Sequence, residues 1–283
     1  MTSIDIVAID RIITEVAATE IMPRFRQLVD GDIEMKGVDD PVTVADKAAE
    51  RVLTARLMAC LPGSTVVGEE GFAADKSIAA RLAGDHPVWI IDPIDGTRNF
   101  ISGKTEFGTM VALRQGAETL ASWIHDPVSG DMLTAERGGG TWLRRDGQTH
   151  KMKIAAHDRG QPRLGIIGTR LNRALAAAKT GLPDFSPGSA AAFDYGRLFA
   201  GDAVFAGNAA SRAAFLLYRQ SKPWDHVPGL LMVAEAGGYA ADLYGNPYDP
   251  RRDKDGLLVA PDRESWQNCY LAMKPVIDIL ISR

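Results

Sequence analysis

The sequence predicts an α+β protein in which an antiparallel sheet with helices is followed by a smaller α/β unit. Apolar runs separated by turn sequences follow one another between residues 88 and 143, which is typical of adjacent antiparallel strands. After residue 164 the apolar runs alternate with helical patterns instead. The polar stretch 146–163, which contains Gly160 and Pro162, separates the two patterns, so we expect domains at 1–150 and 151–283.

The first half is predicted to begin with two helices. Apolar residues at near-helical spacing predict a helix over 4–29, behind Ser3 as its N-cap. Thr43, with Asp46 three residues later, resembles a capping box and opens a second helix that ends at Pro62-Gly63. Residues 71–86 are expected to form a loop with one helical turn. Strands are predicted at 65–68, 88–91, 107–113, 119–125, 132–136 and 141–143.

The second half is predicted to alternate between helices and strands. The patterns predict strands at 164–168, 203–205 and 257–260. Helices are predicted at 170–179, 189–200, 227–236 and 262–281. The stretch 207–223 is expected to be a long connection.

Composition and charge exclude several classes of protein. The 32 basic and 36 acidic residues give a net charge of −4, and no run of Lys or Arg is present, so extended nucleic-acid binding is not expected. The first residues lack the apolar core of a signal peptide, and no window is apolar enough to span a membrane. Cys60 and Cys269 lie too far apart in sequence for a metal motif. We expect a cytoplasmic protein that contacts neither membrane nor nucleic acid.

The segment Asp92–Thr97, with the sequence Asp-Pro-Ile-Asp-Gly-Thr, follows an apolar strand. Two carboxylates so close together repel each other unless a cation lies between them, and oxygen ligands suit a hard cation such as Mg²⁺. The amides of Gly96 and Thr97 open a turn or helix, a common place for a phosphate. Asp, Pro and Gly also form ordinary surface turns, which is the alternative interpretation. Carboxylates at the ends of other predicted elements favour a site: Asp46, Glu69-Glu70 and Asp225.

The residues around these carboxylates resemble the inositol monophosphatase family. The segment Asp92–Thr97, which continues as Arg-Asn-Phe and reaches Gly103, is similar to the first family signature. Trp224–Gly229 is similar to the second signature. The shorter upstream motifs are matched by Val42–Asp46, Gly68–Glu70 and Lys36. These matches occur in family order and cover most of the chain between residues 36 and 238.

The resemblance implies a layered αβαβα sugar-phosphatase fold with two or three Mg²⁺ ions between its two domains. The implied metal ligands are Glu69, Asp92, the carbonyl of Ile94, Asp95 and Asp225, with Asp92 bridging two ions. A third, looser ion would lie near Glu69, and Glu70 would act on it through water. Relatives commonly form homodimers and are commonly lithium-sensitive.

The resemblance also assigns roles around the reacting phosphate. Thr97, hydrogen-bonded to Asp46, would orient the attacking water, and both are expected to be catalytic together with Glu70. The expected substrate contacts are Asp95, Gly96, Thr97, Ser189 and Ala190. The reaction implied is Mg²⁺-dependent hydrolysis of a small phosphate monoester by a metal-activated water.

Two departures from the family concern the substrate and one helix. The glutamate that binds inositol hydroxyls in the family is replaced at the expected position by Ala206. Two arginines on the connection at 207–223, Arg212 and Arg219, favour a second anionic group on the substrate. Pro228 stands where the family usually has Ala, and is expected to be tolerated in the first turn of a helix.

Several functions fit these residues. Inositol monophosphate is the default substrate by resemblance. Histidinol phosphate, fructose 1,6-bisphosphate and a 3′-phosphoadenosine nucleotide are alternatives on the same fold. A regulatory protein that keeps the metal site but works by binding a partner is the alternative from another class.

Overall fold

A computed structural model of the chain describes residues 4–154, 165–168, 185–199, 205 and 213–281. Its first half contains a two-stranded ribbon, a larger sheet and several helices. The helices are α1 (Ile6–Val16), α2 (Val44–Cys60), α3 (Glu69–Ala74) and α4 (Thr97–Ile101). The strands are β1 (Ile33–Gly37), β2 (Asp40–Thr43), β3 (Thr65–Gly68), β4 (Val88–Asp95), β5 (Gly108–Gln115), β6 (Glu118–His125), β7 (Met132–Glu136), β8 (Gly140–Arg145) and β9 (Gln148–Met152).

The second half contains a smaller sheet with helices on both of its faces. Its strands are β10 (Gly165–Ile167), β11 (Phe185–Pro187), β12 (Phe215–Tyr218), β13 (Tyr239–Ala241) and β14 (Leu257–Ala260). Its helices are α5 (Ala191–Gly196), α6 (Pro223–Glu235) and α7 (Arg263–Ile281).

The large sheet follows the chain from β3 to β9, and each strand from β4 onward is antiparallel to the next. This confirms the predicted antiparallel arrangement. The small sheet has the order β11-β10-β12-β14-β13. In it β10 is parallel to both of its neighbours, whereas β14 is antiparallel to both of its own.

The buried side chains arrange these elements in five layers. α1 and α2 pack on one face of the large sheet, around Trp89 and Trp123. α5 and α6 fill the space between the two sheets, where Met110 of the large sheet and Leu216 of the small one belong to the same cluster. α7 covers the outer face of the small sheet through Trp266. The expected αβαβα arrangement is therefore confirmed.

The predicted helix over 4–29 is α-helical only to Val16 and ends at Arg24. Ala17–Ile21 is a π-helix and Met22–Arg24 a short 3₁₀ helix. Pro23 lies in that last turn and has no N–H to continue the pattern. Arg26 has a φ of 59°, so the helix does not reach residue 29.

Three other predictions about the first half need correction. The region predicted as a loop with one turn contains α3 and a 3₁₀ helix at Lys76–Ala83. β4 does not stop at residue 91 but runs to Asp95. Its pairing with β5 shifts register between Asp92 and Asp95 and then resumes. Proline is tolerated at such a bulge, and Pro93 lies within it. β9 lies near the start of the polar stretch 146–163, which was expected to separate the two domains.

In the second half, the predicted long connection at 207–223 is wrong over its last part, because the apolar residues of β12 form a buried strand there. The helix predicted over 189–200 is limited to Ala191–Gly196. The predicted helix over 170–179, most of the predicted strand at 203–205, Ala206 and Arg212 lie outside the described residues. The domain boundary at 150/151 stays a prediction.

Helix α6 begins at Pro223, four residues earlier than predicted. Pro228 consequently lies in the helix interior and not in its first turn, so that expectation was wrong. Because proline has no N–H, the carbonyl of Trp224 lacks its usual partner four residues on. Within the described residues, no helix is both long and apolar enough to cross a membrane.

Candidate active site

Three carboxylates meet where β4 ends and α6 begins. Asp92 and Asp95 are buried on either side of the β4 bulge, and Asp225 lies in the first turn of α6. One carboxylate oxygen of each lies within 4.8 Å of the others. The bulge explains why both β4 side chains can reach the same point, since the extra residue redirects the strand.

Burial and mutual repulsion make this group costly without a cation. Burial, together with the charges of Glu69 and the other two aspartates, raises the pKa of Asp92 well above its usual range. Burial likewise raises the pKa of Asp225. For Asp95, burial raises the pKa to about 7, although backbone amides partly oppose the shift. A hard dication satisfies such an oxygen-only group, so these residues fit Mg²⁺.

Helix α5 holds Asp95 from the side of the small sheet. Oδ2 of Asp95 accepts a hydrogen bond of 2.6 Å from the Ala192 N–H. Gly96 allows this close approach, because a Cβ there would lie 2.9 Å from the Cβ of Ala190. Its φ of +90° is also one that favours glycine. Gly96 and Ala190 therefore both lie at the contact that seats α5 against β4.

Thr97 and Asp46 are in contact, as expected. Oγ1 of Thr97 lies 3.2 Å from Oδ1 of Asp46 and 3.1 Å from the carbonyl oxygen of Ile94. The other carboxylate oxygen of Asp46 accepts the Thr43 N–H and closes the predicted capping box. Burial raises the pKa of Asp46 to about 6. The hydroxyl is thus held between α2 and the end of β4.

Glu69 and Glu70 lie at the start of α3 and share a cation from the ribbon. Nζ of Lys36 lies 2.7 Å from a carboxylate oxygen of each. Burial and the charge of Glu69 raise the pKa of Glu70 to about 7, although Lys36 opposes the shift. Pairing with both glutamates outweighs burial and raises the pKa of Lys36. Glu69 lines the same pocket as Asp95 and Asp225 but lies outside the tight group of three aspartates.

The carboxylates open into a pocket of about 570 Å³. Ser189 and Ala190, which the resemblance names as substrate contacts, line it. Arg219 lines it too and is exposed, and no described residue forms an ion pair with its guanidinium. Lys222 also lines the pocket and pairs with Asp253.

A buried polar network forms part of the wall of this pocket and was not predicted. The Tyr218 hydroxyl donates to Asp194 at 2.8 Å, and Asp194 also accepts the Ser189 N–H. His226 lies 3.1 Å from the Tyr195 hydroxyl, and burial lowers its pKa to about 3. Asp194 gave no signal in the sequence, because an isolated aspartate in an apolar helix has no local partner.

Comparison with known proteins places the chain in a family. The inositol monophosphatase family profile matches residues 4–274. The inositol-1-monophosphatase of Rhizobium meliloti is 31% identical over 225 residues, which cover 78% of this chain and 79% of that protein. The Nus factor SuhB of Xylella fastidiosa is also 31% identical, over 77% of this chain and 74% of that protein.

Solved structures agree on the fold. The Thermotoga maritima IMPase superposes with a TM-score of 0.74, covering 96% of this chain and 97% of that one at 22% identity. Mycobacterium tuberculosis SuhB gives a TM-score of 0.69 at 24% identity, with 95% of each chain covered. From its profile match and its relatives, the chain belongs to the inositol monophosphatase family.

Proposed function

We propose that this protein is a Mg²⁺-dependent phosphatase that hydrolyses a small phosphate monoester. The observation that carries the proposal is the convergence of Asp92, Asp95 and Asp225 within 4.8 Å, beside a pocket of about 570 Å³ that Asp95 and Asp225 line. Family membership supports the phosphatase activity.

The chain's own residues would divide the work. Asp92, Asp95 and Asp225, with Glu69 and the Ile94 carbonyl, would hold the ions. When bound, these ions neutralise phosphate charge and activate water for in-line attack. Thr97 is positioned to accept a hydrogen bond from the attacking water, since it donates its own hydroxyl proton to Asp46 or to the Ile94 carbonyl. The amides of Gly96 and Thr97 would bind phosphate oxygens.

Phosphate release from a panel of substrates tests this proposal. The panel contains inositol monophosphate, histidinol phosphate, fructose 1,6-bisphosphate and a 3′-phosphoadenosine nucleotide. We expect at least one of them to be hydrolysed with Mg²⁺ and none in excess EDTA. Hydrolysis that persists in EDTA would contradict metal dependence. The homodimer implied by the resemblance stays a prediction, and the molar mass measured by light scattering tests it.

Protons and Mg²⁺ should compete for the aspartates. Asp95 has a pKa of about 7 in the folded chain, above its ordinary value of about 4. Protonation of Asp95 therefore adds to the free energy of unfolding of the metal-free protein. This contribution is fully present below pH 4 and is lost as the pH rises from 4 to 7. We expect saturating Mg²⁺ to raise Tm by several degrees more at pH 8 than at pH 5. Thermal scans with NaCl at matched ionic strength provide the control, and equal shifts at both pH values would contradict the prediction.

We further propose that the substrate carries a second anionic group, which Arg219 binds. The support is that Arg219 is an exposed cation on the wall of the pocket that Asp95 and Asp225 line, and none of the described residues forms an ion pair with it. Arg212 is proposed as a second contact from the sequence alone. A hydrogen bond to a charged group contributes about 1.5–3 kcal/mol, and exposure reduces that amount.

Arg219→Ala should raise KM for a doubly anionic substrate about tenfold and leave KM for a neutral-tailed monoester nearly unchanged. The double variant with Arg212→Ala should add to the effect. Arg137→Ala, which removes an exposed arginine paired with Glu118, is the matched control. Initial rates on both substrates give the comparison. Equal changes in KM for the two substrates would show that Arg219 does not select by charge.

Lithium should inhibit the enzyme, as the resemblance implies. Li⁺ is close to Mg²⁺ in size and carries half its charge, so it would replace an ion held loosely by Glu69 and Glu70 once the leaving group had departed. We therefore expect inhibition that strengthens at saturating substrate, measured as initial rates in roughly tens of millimolar Li⁺. KCl at equal concentration is the control. Full activity in Li⁺ would argue against a third, loose ion.

A regulatory protein that binds a partner is the second candidate. It is favoured by the similarity to the Nus factor SuhB of Xylella fastidiosa. Mg²⁺ binding without hydrolysis of any panel substrate would support this candidate over the phosphatase.

A further inference from the structure

The helix that carries Glu69 and Glu70 has no cap of its own. α3 is six residues long, and its N-cap is Gly68, which offers no side-chain acceptor. The first backbone N–H groups of any helix lack partners inside that helix. The acceptor for these groups in α3 must therefore come from another part of the chain.

Glu50 of α2 supplies this acceptor. Its Oε2 accepts the Glu70 N–H at 2.8 Å, and its Oε1 accepts the Gly71 N–H at 2.7 Å. The side chain is buried, with 8% of its surface exposed. Hydrogen bonds to a charged carboxylate are strong, so two of them fix the position of the carboxylate and also that of the two backbone amides. The position of Glu50 consequently determines where the first turn of α3 lies.

Gly68 is adapted to the same contact. A Cβ at this residue would lie 2.3 Å from the carboxyl carbon of Glu50. The φ of Gly68 is −102°, which any residue can adopt, so space and not backbone conformation requires glycine here. The backbone of β3 thus passes directly over the Glu50 carboxylate.

Two elements fix the glutamate segment from opposite sides. Lys36 of β1 binds the Glu69 and Glu70 side chains, while Glu50 binds the backbone that carries them. Glu50 also lies one helical turn after Asp46, so both carboxylates project from one face of α2. Through this face, α2 contacts both Thr97 and the start of α3.

We propose that Glu50 is a positioning residue for the cation site, which fixes Glu69 through the amides of α3 and so sets the affinity for Mg²⁺. The inference rests on the proposed function insofar as Mg²⁺ is the cation. Groups that orient metal ligands contribute roughly 10–100-fold to metal affinity. In Glu50→Gln, one of the two N–H donors would face an NH₂ group, so the first turn of α3 would shift.

Isothermal titration of Mg²⁺ into the full chain, without substrate, tests this role. We expect Glu50→Gln to raise the Kd for Mg²⁺ about tenfold or more. The matched control is Glu235→Gln, because Glu235 also accepts two backbone N–H groups, from Gly138 and Gly140, on a hairpin away from the site. Glu235→Gln should leave the Kd unchanged. Thermal unfolding without metal compares the stability of the two variants.

Gly68→Ala provides a second variant that moves the Glu50 carboxylate without removing its charge. It should weaken Mg²⁺ binding in the same direction, and its titration decides the matter if Glu50→Gln fails to fold. Wild-type Mg²⁺ affinity in folded Glu50→Gln and Gly68→Ala would overturn the proposal. Absence of Mg²⁺ binding to the wild-type chain would instead overturn the proposed function itself.

Discussion

Replacing Asp95 by asparagine should lower the rate of phosphate release by about a thousandfold, since metal ions contribute several kcal/mol to such reactions. Asparagine keeps the size of the side chain, and its carbonyl oxygen can still accept the Ala192 N–H. It removes the charge that a dication requires. We therefore expect weaker Mg²⁺ binding by titration, together with an intact fold.

The stability of this variant separates the metal site from the fold. Because burial and neighbouring charges disfavour the charged form of Asp95, Asp95→Asn should unfold at the same temperature as the metal-free wild type or higher. The matched control is Asp242→Asn, since Asp242 is a buried carboxylate that accepts backbone N–H groups from Tyr244 and Asn246. Near wild-type hydrolysis by Asp95→Asn would contradict the assignment of this aspartate.

Thr97→Ala should lower kcat by about a hundredfold while leaving the affinity for Mg²⁺ within about twofold. The reason is that its hydroxyl lies between Asp46 and the Ile94 carbonyl. In the proposed mechanism it would orient water without holding the ion itself. Single-turnover rates and Mg²⁺ titrations measure the two quantities separately.

A conservative replacement tests whether the hydroxyl of Thr97, and not its methyl group, is responsible for the rate. Thr97→Ser keeps that group and should recover most of the rate. Thr141→Ala removes a buried hydroxyl that donates to the Met232 carbonyl, and it controls for loss of packing. If Thr97→Ala bound Mg²⁺ as weakly as Asp95→Asn, the role of Thr97 would be to hold the metal ion and not to orient the attacking water.

The large sheet could be predicted because its signals are local. Turn sequences such as Gln115-Gly116 and Gly138–Gly140 stand between its strands, and β7 was predicted with its observed bounds. The ribbon β1–β2 was missed because β1 is exposed along most of its length, so it shows no alternation of apolar and polar residues. β12 was missed because an apolar run of four residues does not distinguish a strand from a connection.

The carboxylates of the site could be predicted because each stands in a short motif at the end of an element. Their geometry could not, since it depends on the β4 bulge and on α5, which starts close to a hundred residues later in the chain. The role of Glu50 was hidden for a different reason. Its partners are backbone amides, and almost every type of residue has one, so the sequence does not show which residues Glu50 contacts.

The group of three aspartates joins distant parts of the chain. Asp92 and Asp95 come before β10, β11 and β12, whereas Asp225 comes after them. A cation shared by these residues would close a loop that contains most of the small sheet, much as a disulfide would. In the loop-entropy description, bringing together the ends of a disordered loop of about 130 residues costs about 5 kcal/mol, and a folded small sheet spares cation binding this cost. Substitutions that loosen the small sheet, even far from the aspartates, should therefore weaken cation binding.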